Sequence, residues 1–132
     1  KSGFVDWFAS GVASSLTGIS WMMALGILCL INMYVHYAFA SLSAHVGATY
    51  AAFLAVAVAA GAPPMMAALA LGCETGIMGC LTHYATGPAP IYFGAGYHSQ
   101  PEWWKIGFIC SISSLICFLI IGPIWWKALG LW

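Results

Sequence analysis

The chain has 132 residues, of which 63% are hydrophobic and 15% aromatic but only 5% charged, where a soluble domain carries about a quarter charged residues. A surface so poor in charge cannot face water over its whole extent, which excludes a soluble globular domain and points to lipid. The formal net charge is zero, and Lys1, Asp6, Glu74, Glu102, Lys105 and Lys127 form no basic cluster, so the electrostatic basis for nucleic-acid binding or a polybasic lipid anchor is missing.

The opening on Lys1, without a basic region, a short apolar run and a small-residue cleavage site, reads as a fragment lacking a targeting signal. Residues 1–20 mix apolar with small polar side chains and set Trp7 beside Asp6, which predicts a helix lying at the membrane interface. Residues 21–40 form an apolar run of bilayer-crossing length that turns polar at His36 and Tyr37. A second apolar segment, 46–60, stops at Gly61-Ala62-Pro63-Pro64, and a third, 65–81, runs into Thr82-His83-Tyr84-Ala85-Thr86-Gly87-Pro88-Ala89-Pro90. The last, 106–126, is framed by Trp103-Trp104-Lys105 and Trp125-Trp126-Lys127. Aromatic and basic anchors at both ends predict one full span over 103–128, and a lysine at each end leaves its orientation open. Small residues between Ala44 and Gly79, including Gly72 and Gly76, suit close helix packing. Cys29, Cys73, Cys80, Cys110 and Cys117 sit singly in apolar stretches with no C-x-x-C pair, which predicts small buried hydrophobes rather than metal ligands.

The informative residues break this apolar pattern, because an unsatisfied polar group in hydrocarbon costs several kcal/mol. The first break, His36-Tyr37-Ala38-Phe39-Ala40-Ser41-Leu42-Ser43-Ala44-His45, is too apolar for a water-exposed loop. It predicts a re-entrant helical hairpin over 21–61 with its tip near 41–43, lining a cavity. The second, Thr86-Gly87-Pro88-Ala89-Pro90, cannot be continuous helix, since prolines two apart remove two amide donors. It predicts a broken helix over 63–98, unwound at 85–90, with one half ending near Tyr84 and the other starting near Pro90.

Interrupted helices leave free amides at new N-termini, which suit anions, and free carbonyls at new C-termini, which suit cations. Ser43 is placed to cap a helix beginning at Ala44, and the amides that follow, with those near Ala89 and Ile91, are candidate carboxylate ligands. With no Arg or Lys in the apolar core, a bound dicarboxylate must draw counter-charge from a co-bound cation or from protonated His45 or His83. A hairpin tip beside a broken helix is a frequent plan for the substrate site of secondary transporters.

The run from Leu81 to Tyr97, the two Trp-Trp-Lys triplets and the segment from His36 to His45 together resemble the divalent anion:sodium symporter family. Within it they are most similar to the branch of citrate/succinate, tartrate/succinate and 2-oxoglutarate/malate exchangers, over nearly the whole chain. The resemblance implies an all-α integral membrane fold: the second half of an inverted-repeat transporter, with the N-terminal repeat missing. It further implies a homodimer, a multi-pass location in a bacterial inner membrane, and no enzymatic activity or bound cofactor. Ser41, Leu42 and Ser43 fall on the family's Ser-Asn-Thr hairpin signature, and Thr86, Gly87, Pro88 and Ala89 on its unwound Thr-Pro-Pro-Asn segment, so these seven are implied substrate contacts. Leu42 and Ala89 stand where the family has Asn, which removes two side-chain amides and speaks against sodium coupling. The implied activity is exchange of di- and tricarboxylates such as succinate, citrate, malate, tartrate or 2-oxoglutarate, with sodium-coupled symport as the alternative.

Blander readings stand beside these. His45 and His83 are either helix-to-helix hydrogen-bonding partners or charge carriers at depth. Glu74, a lone carboxylate among Gly and Cys, reads first as paired with a residue of the missing part, with proton carriage or a position nearer water as the alternatives. His98 belongs to a solvated loop with Ser99, Gln100, Pro101 and Glu102. An intramembrane enzyme would need His36, His45 and His83 to gather a metal, yet no H-E-x-x-H is present. A non-transporting interaction subunit would have no need of a proline-broken polar segment.

Overall fold

The computed structural model describes Gly11 and residues 18–131; the expected interfacial helix at 1–20 lies almost wholly outside the described residues. Within them the chain is helical, with no strand. Three helical stretches are long and apolar enough to cross a membrane: Trp21–Ala38, Leu42–Ala59 and Gln100–Ala128.

The first helix, α1 (Trp21–Val35), starts where the Ser20 hydroxyl accepts from the Met23 amide at 3.3 Å and tightens into a 3-10 turn at His36–Ala38. Phe39 and Ser41 are extended, the chain reverses, and α2 (Leu42–Ala59) begins. The hairpin tip is therefore at 39–41, two residues before the expected one. The cap is Ser41 rather than Ser43, because only Ser41 has the extended backbone that lets a side-chain oxygen reach back to the Ala44 amide, at 3.5 Å. At its far end α2 closes with Gly61 at φ +91, while the Ala62 amide bonds to Ala57 and the Gly61 amide to Val58, the paired bonds of a Schellman termination. A side chain at Gly61 would touch Trp21 Cβ, so the end of α2 lies against the start of α1 and the hairpin is closed.

Pro64 opens α3 (Pro64–Glu74) at the first helical position, where its missing amide costs nothing. This helix stops at Glu74, ten residues before the expected end near Tyr84. From there the backbone bonds shift to shorter turns, Gly76 to Cys73 and Ile77 to Glu74, followed by a 3-10 turn at Met78–Cys80 and irregular chain to Pro88. Apolarity alone could not reveal this, but Gly76 and Gly79 disfavour helix. A Cβ at Gly79 would come within 2.7 Å of Thr86 Cγ2, so the segment folds back on itself. A short helix, α4 (Ala89–Gly94), follows.

The last helix, α5 (Gln100–Ala128), has 29 residues, roughly 43 Å at 1.5 Å per residue, longer than the bilayer core of about 30 Å. It starts earlier than expected, because Ser99 and Glu102 form a capping box, with both the Ser99 amide and hydroxyl 2.8 Å from Glu102 Oε2. Gln100, Pro101 and Glu102 are thus helical, and only His98 of that group stays in an exposed bend. Most of α5 turns apolar side chains outward, including Ile109, Ile116, Ile120 and Ile124. Its inner face is set by Gly107, where a Cβ would collide with the Cys80 and Leu81 carbonyl oxygens.

Two apolar clusters hold these parts together. One lies toward the hairpin base, around Leu28, Val56, Ala57, Met66, Ala67 and Leu71; the other joins Met33, Met78, Leu81 and Leu115. Lipid is as apolar as these side chains, so close van der Waals fit rather than water exclusion favours the packing, and the buried Ala52, Ala57, Ala67 and Ala70 allow α2 and α3 to approach. All five cysteines are free, and only Cys29 is buried. Cys80 is half-buried and Cys73, Cys110 and Cys117 are exposed, contrary to the expectation of five buried ones, because a thiol in apolar sequence is equally at home on an outward face.

Candidate functional site

The hairpin tip and the irregular segment meet across a cavity of about 390 Å³ lined by Ala40, Ser41, Leu42, Ser43, Tyr84, Thr86, Gly87 and Pro90. Five of the seven expected contact residues are on this wall: Ser41, Leu42, Ser43, Thr86 and Gly87. Pro88 and Ala89 are not; Ala89 is buried in the first turn of α4. Tyr84 ties the two walls together, its hydroxyl donating to the Tyr37 carbonyl at 3.0 Å.

The cavity's wall includes the N-terminus of α2, where the Leu42 and Ser43 amides have no partner within the helix, the Ala44 amide is capped by Ser41, and the backbone dipoles present partial positive charge. Ser41, Ser43 and Thr86 add hydroxyls that donate or accept as a ligand requires. The amides of Ala89 and Ile91, expected as carboxylate ligands, are already engaged with the Thr86 and Pro88 carbonyls at 3.2 and 3.1 Å. No side-chain cation lines the cavity.

Behind the tip lies a second polar group, closed to solvent. His36 Nδ1 is 2.9 Å from His45 Nδ1, and His45 Nε2 is 3.1 Å from Asn32 Oδ1. The Asn32 amide donates to Glu74 Oε2 at 3.1 Å, and the Thr49 hydroxyl lies 3.3 Å from Asn32 Oδ1 while donating to the His45 carbonyl. Phe39 stacks on His45 and the two histidine rings stack on each other. His36 and Glu74 are 0% exposed and His45 1%, so the His45 ring does not line the cavity. Glu74 is paired with Asn32 of its own chain, where the sequence led to the expectation of a partner in the missing part of the protein. Glu74 Oε1 and His36 Nε2, both buried, have no hydrogen-bond partner among the described residues.

His83 stands apart from this group. Its Nδ1 accepts from Trp104 Nε1 at 3.1 Å, and its ring packs on Tyr84, Phe93 and Trp104. His36, His45 and His83 therefore do not gather, and among the described residues no group of three or more His, Cys, Asp or Glu could hold a metal. Sequence reading passed over Asn32, the residue that joins α1, α2 and α3. Its only signal was an amide inside the otherwise apolar stretch 21–35, which lipid tolerates only if a partner satisfies it.

The family model described as the transmembrane region of sodium:sulfate symporters matches residues 1–132. Among curated proteins, the chain is 48% identical over 134 residues to dicarboxylate transporter 1, chloroplastic, of Spinacia oleracea, covering 100% of this chain and 24% of that protein. It is 53% identical over 130 residues to the putative malate transporter YflS of Bacillus subtilis, covering 98% and 27%. It is 38% identical over 133 residues to the citrate/succinate antiporter of Escherichia coli strain K12, covering 100% and 27%. The chain spans about a quarter of the length of these relatives.

Proposed function

This chain belongs to the sodium:sulfate symporter family of integral membrane proteins, and from that premise we propose that it is the carboxylate-binding half of a secondary transporter for di- and tricarboxylates. The relatives named as dicarboxylate, malate and citrate/succinate transporters support that substrate class. The observation that carries the reading is the facing of Ser41, Leu42 and Ser43 with Thr86 and Gly87 across one cavity at the start of α2. One carboxylate is held by the free amides of that helix start and the Ser41 and Ser43 hydroxyls, and Thr86 with the Gly87 backbone holds the facing side. Leu42 and the buried Ala89 offer no side-chain oxygen to a sodium ion, so the proposed mode is exchange of one carboxylate for another. The hairpin is read as re-entrant, with its tip at membrane depth, and the second face of the site as the contribution of an N-terminal repeat of the same protein. A bacterial inner membrane completes the proposal, on the Bacillus and Escherichia relatives, together with a homodimer as the family resemblance implies; the plant relatives are named as chloroplastic.

Proteoliposomes containing the full-length protein test it, with labelled succinate outside and either unlabelled dicarboxylate or none inside. Uptake that needs internal dicarboxylate and ignores a sodium gradient is the expected result. Sodium-driven uptake into empty vesicles would establish symport instead, and absence of any carboxylate flux would end the transport reading.

A further inference from the structure

The file of four buried side chains behind the hairpin tip has two complete hydrogen-bond orderings that differ by one proton. In the first, Glu74 is a carboxylate: Asn32 donates to Glu74 Oε2, His45 Nε2–H donates to the Asn32 carbonyl, and His36 Nδ1–H donates to His45 Nδ1, leaving His36 Nε2 a bare lone pair. In the second, Glu74 carries a proton and donates to the Asn32 carbonyl, turned through an amide flip. The Asn32 NH₂ then donates to His45 Nε2, His45 Nδ1–H donates to His36 Nδ1, and His36 Nε2 bears hydrogen. Thr49 follows the ordering with its single hydroxyl hydrogen, which turns to the Asn32 carbonyl in the first and to the His45 carbonyl in the second, where the Thr49 oxygen accepts from the Asn32 NH₂. The second ordering has gained one proton from water and lost one negative charge; nothing else changes hands.

The two orderings differ at the cavity wall. At the end of the file His36 Nε2 is buried with no hydrogen-bond partner among the described residues, and the Ala85 backbone is beside the His36 ring. An N–H at Nε2 can donate to a backbone carbonyl there, whereas a bare lone pair cannot, and Ala85 is the residue before Thr86 and Gly87. The other titratable group beside Glu74 is the Cys29 thiol of α1. From α2 come His45 and, farther along, Tyr50, whose hydroxyl is occupied by the Ala68 carbonyl. The long helix turns Leu115 and Leu119 toward this region, and the described lysines, Lys105 and Lys127, are exposed. No described cation offsets Glu74, so a proton is the neutralising species available to it.

We infer that Glu74, Asn32, His45 and His36 form one proton-binding site, and that the proton is a second ligand taken up with the dicarboxylate. The inference rests on the transport reading above. A dianion in the cavity, which has no lining cation, favours the ordering with one less negative charge behind the tip. By linkage, the proton then strengthens dianion binding by the same factor.

Calorimetric titration of the purified full-length protein with succinate, at a pH where succinate is fully ionised, tests this in two buffers of different ionisation enthalpy, Pipes and Tris. The expected result is a binding enthalpy that differs between buffers by the equivalent of proton uptake approaching one per succinate, with affinity falling by up to about tenfold per pH unit as pH rises. Glu74→Gln keeps the amide contact to Asn32 and is expected to bind succinate with no buffer dependence; if that variant does not fold, the wild type's pH dependence decides, and a succinate affinity that does not fall as pH rises would overturn the proton site. Equal enthalpies in the two buffers for the wild type would overturn the proton site while leaving carboxylate binding intact. Proton uptake that survives in folded Glu74→Gln would also overturn it. Absence of succinate binding together with absence of exchange would instead remove the transport reading, and the inference with it.

Discussion

Ser43 and His45 are two residues apart on the first turn of α2, yet one is exposed at a cavity and the other is sealed against Asn32, His36 and Phe39. On the cavity side the polar groups are hydroxyls and amides that have water or a ligand as partner, so each is worth little to the fold by itself. On the sealed side the bonded atoms of Asn32, His45 and Glu74 depend on a neighbour from another helix, and losing one neighbour strands the others. A single helix start thus carries a surface that tolerates change and a file that does not, and mutations should separate them.

The largest effect is expected from Asn32→Leu, which leaves Glu74 Oε2 and His45 Nε2 buried without partners. At about 1–3 kcal/mol for each stranded group, the full-length protein should lose on the order of 2–5 kcal/mol, read as a drop in melting temperature in detergent. An unchanged melt would mean that the sealed file does not hold the hairpin to α3.

Next comes Gly107→Ala, whose Cβ meets the Cys80 and Leu81 carbonyls. Overpacking there should cost roughly 1–3 kcal/mol and push the irregular segment away from α5. Faster labelling of half-buried Cys80 by a thiol reagent is the readout, and unaltered labelling with an unaltered melt would refute the close packing.

Ser43→Ala sharpens the contrast from the cavity side. Its hydroxyl makes no bond within the described chain that the helix depends on, so the melt should stay the same. The loss of one ligand hydrogen bond, about 0.5–1.5 kcal/mol, should raise the KM for succinate exchange roughly 2- to 10-fold. A lowered melt with unchanged KM would reverse the roles assigned to the two sides.

Ser41→Ala gives the smallest stability loss that should still register in the melt. The cap bond is long at 3.5 Å, so its loss should fall near the low end for caps, about 0.5 kcal/mol, with a KM change like that of Ser43→Ala. A loss above about 2 kcal/mol would show that Ser41 serves the fold first.

The sequence by itself determined the membrane setting, the placement of the two interruptions and the family, because each rests on local chemistry. Charge-free apolar runs suit lipid, prolines at 88 and 90 forbid continuous helix, and Trp-Trp-Lys triplets frame the last span. The meeting of the hairpin tip with the second break was expected from residues 41–43 and 86–89, and the structure brings 41–43, 86 and 87 to one cavity while Pro88 and Ala89 stay off it. Where α3 ends was decided elsewhere. Residues 75–81 are apolar enough to continue as helix, and they leave it where Gly79 meets Thr86 and Gly107 admits the Cys80 and Leu81 carbonyls, contacts across 7, 27 and 26 positions that no local pattern encodes. The cap fell to Ser41 instead of Ser43 because the backbone reversal at 39–41 sets which serine is extended. Only the tertiary structure joined Asn32, His36, His45 and Glu74. Each looks isolated in sequence, and a buried polar side chain shows its role only when the partner that satisfies it, from another helix, is known.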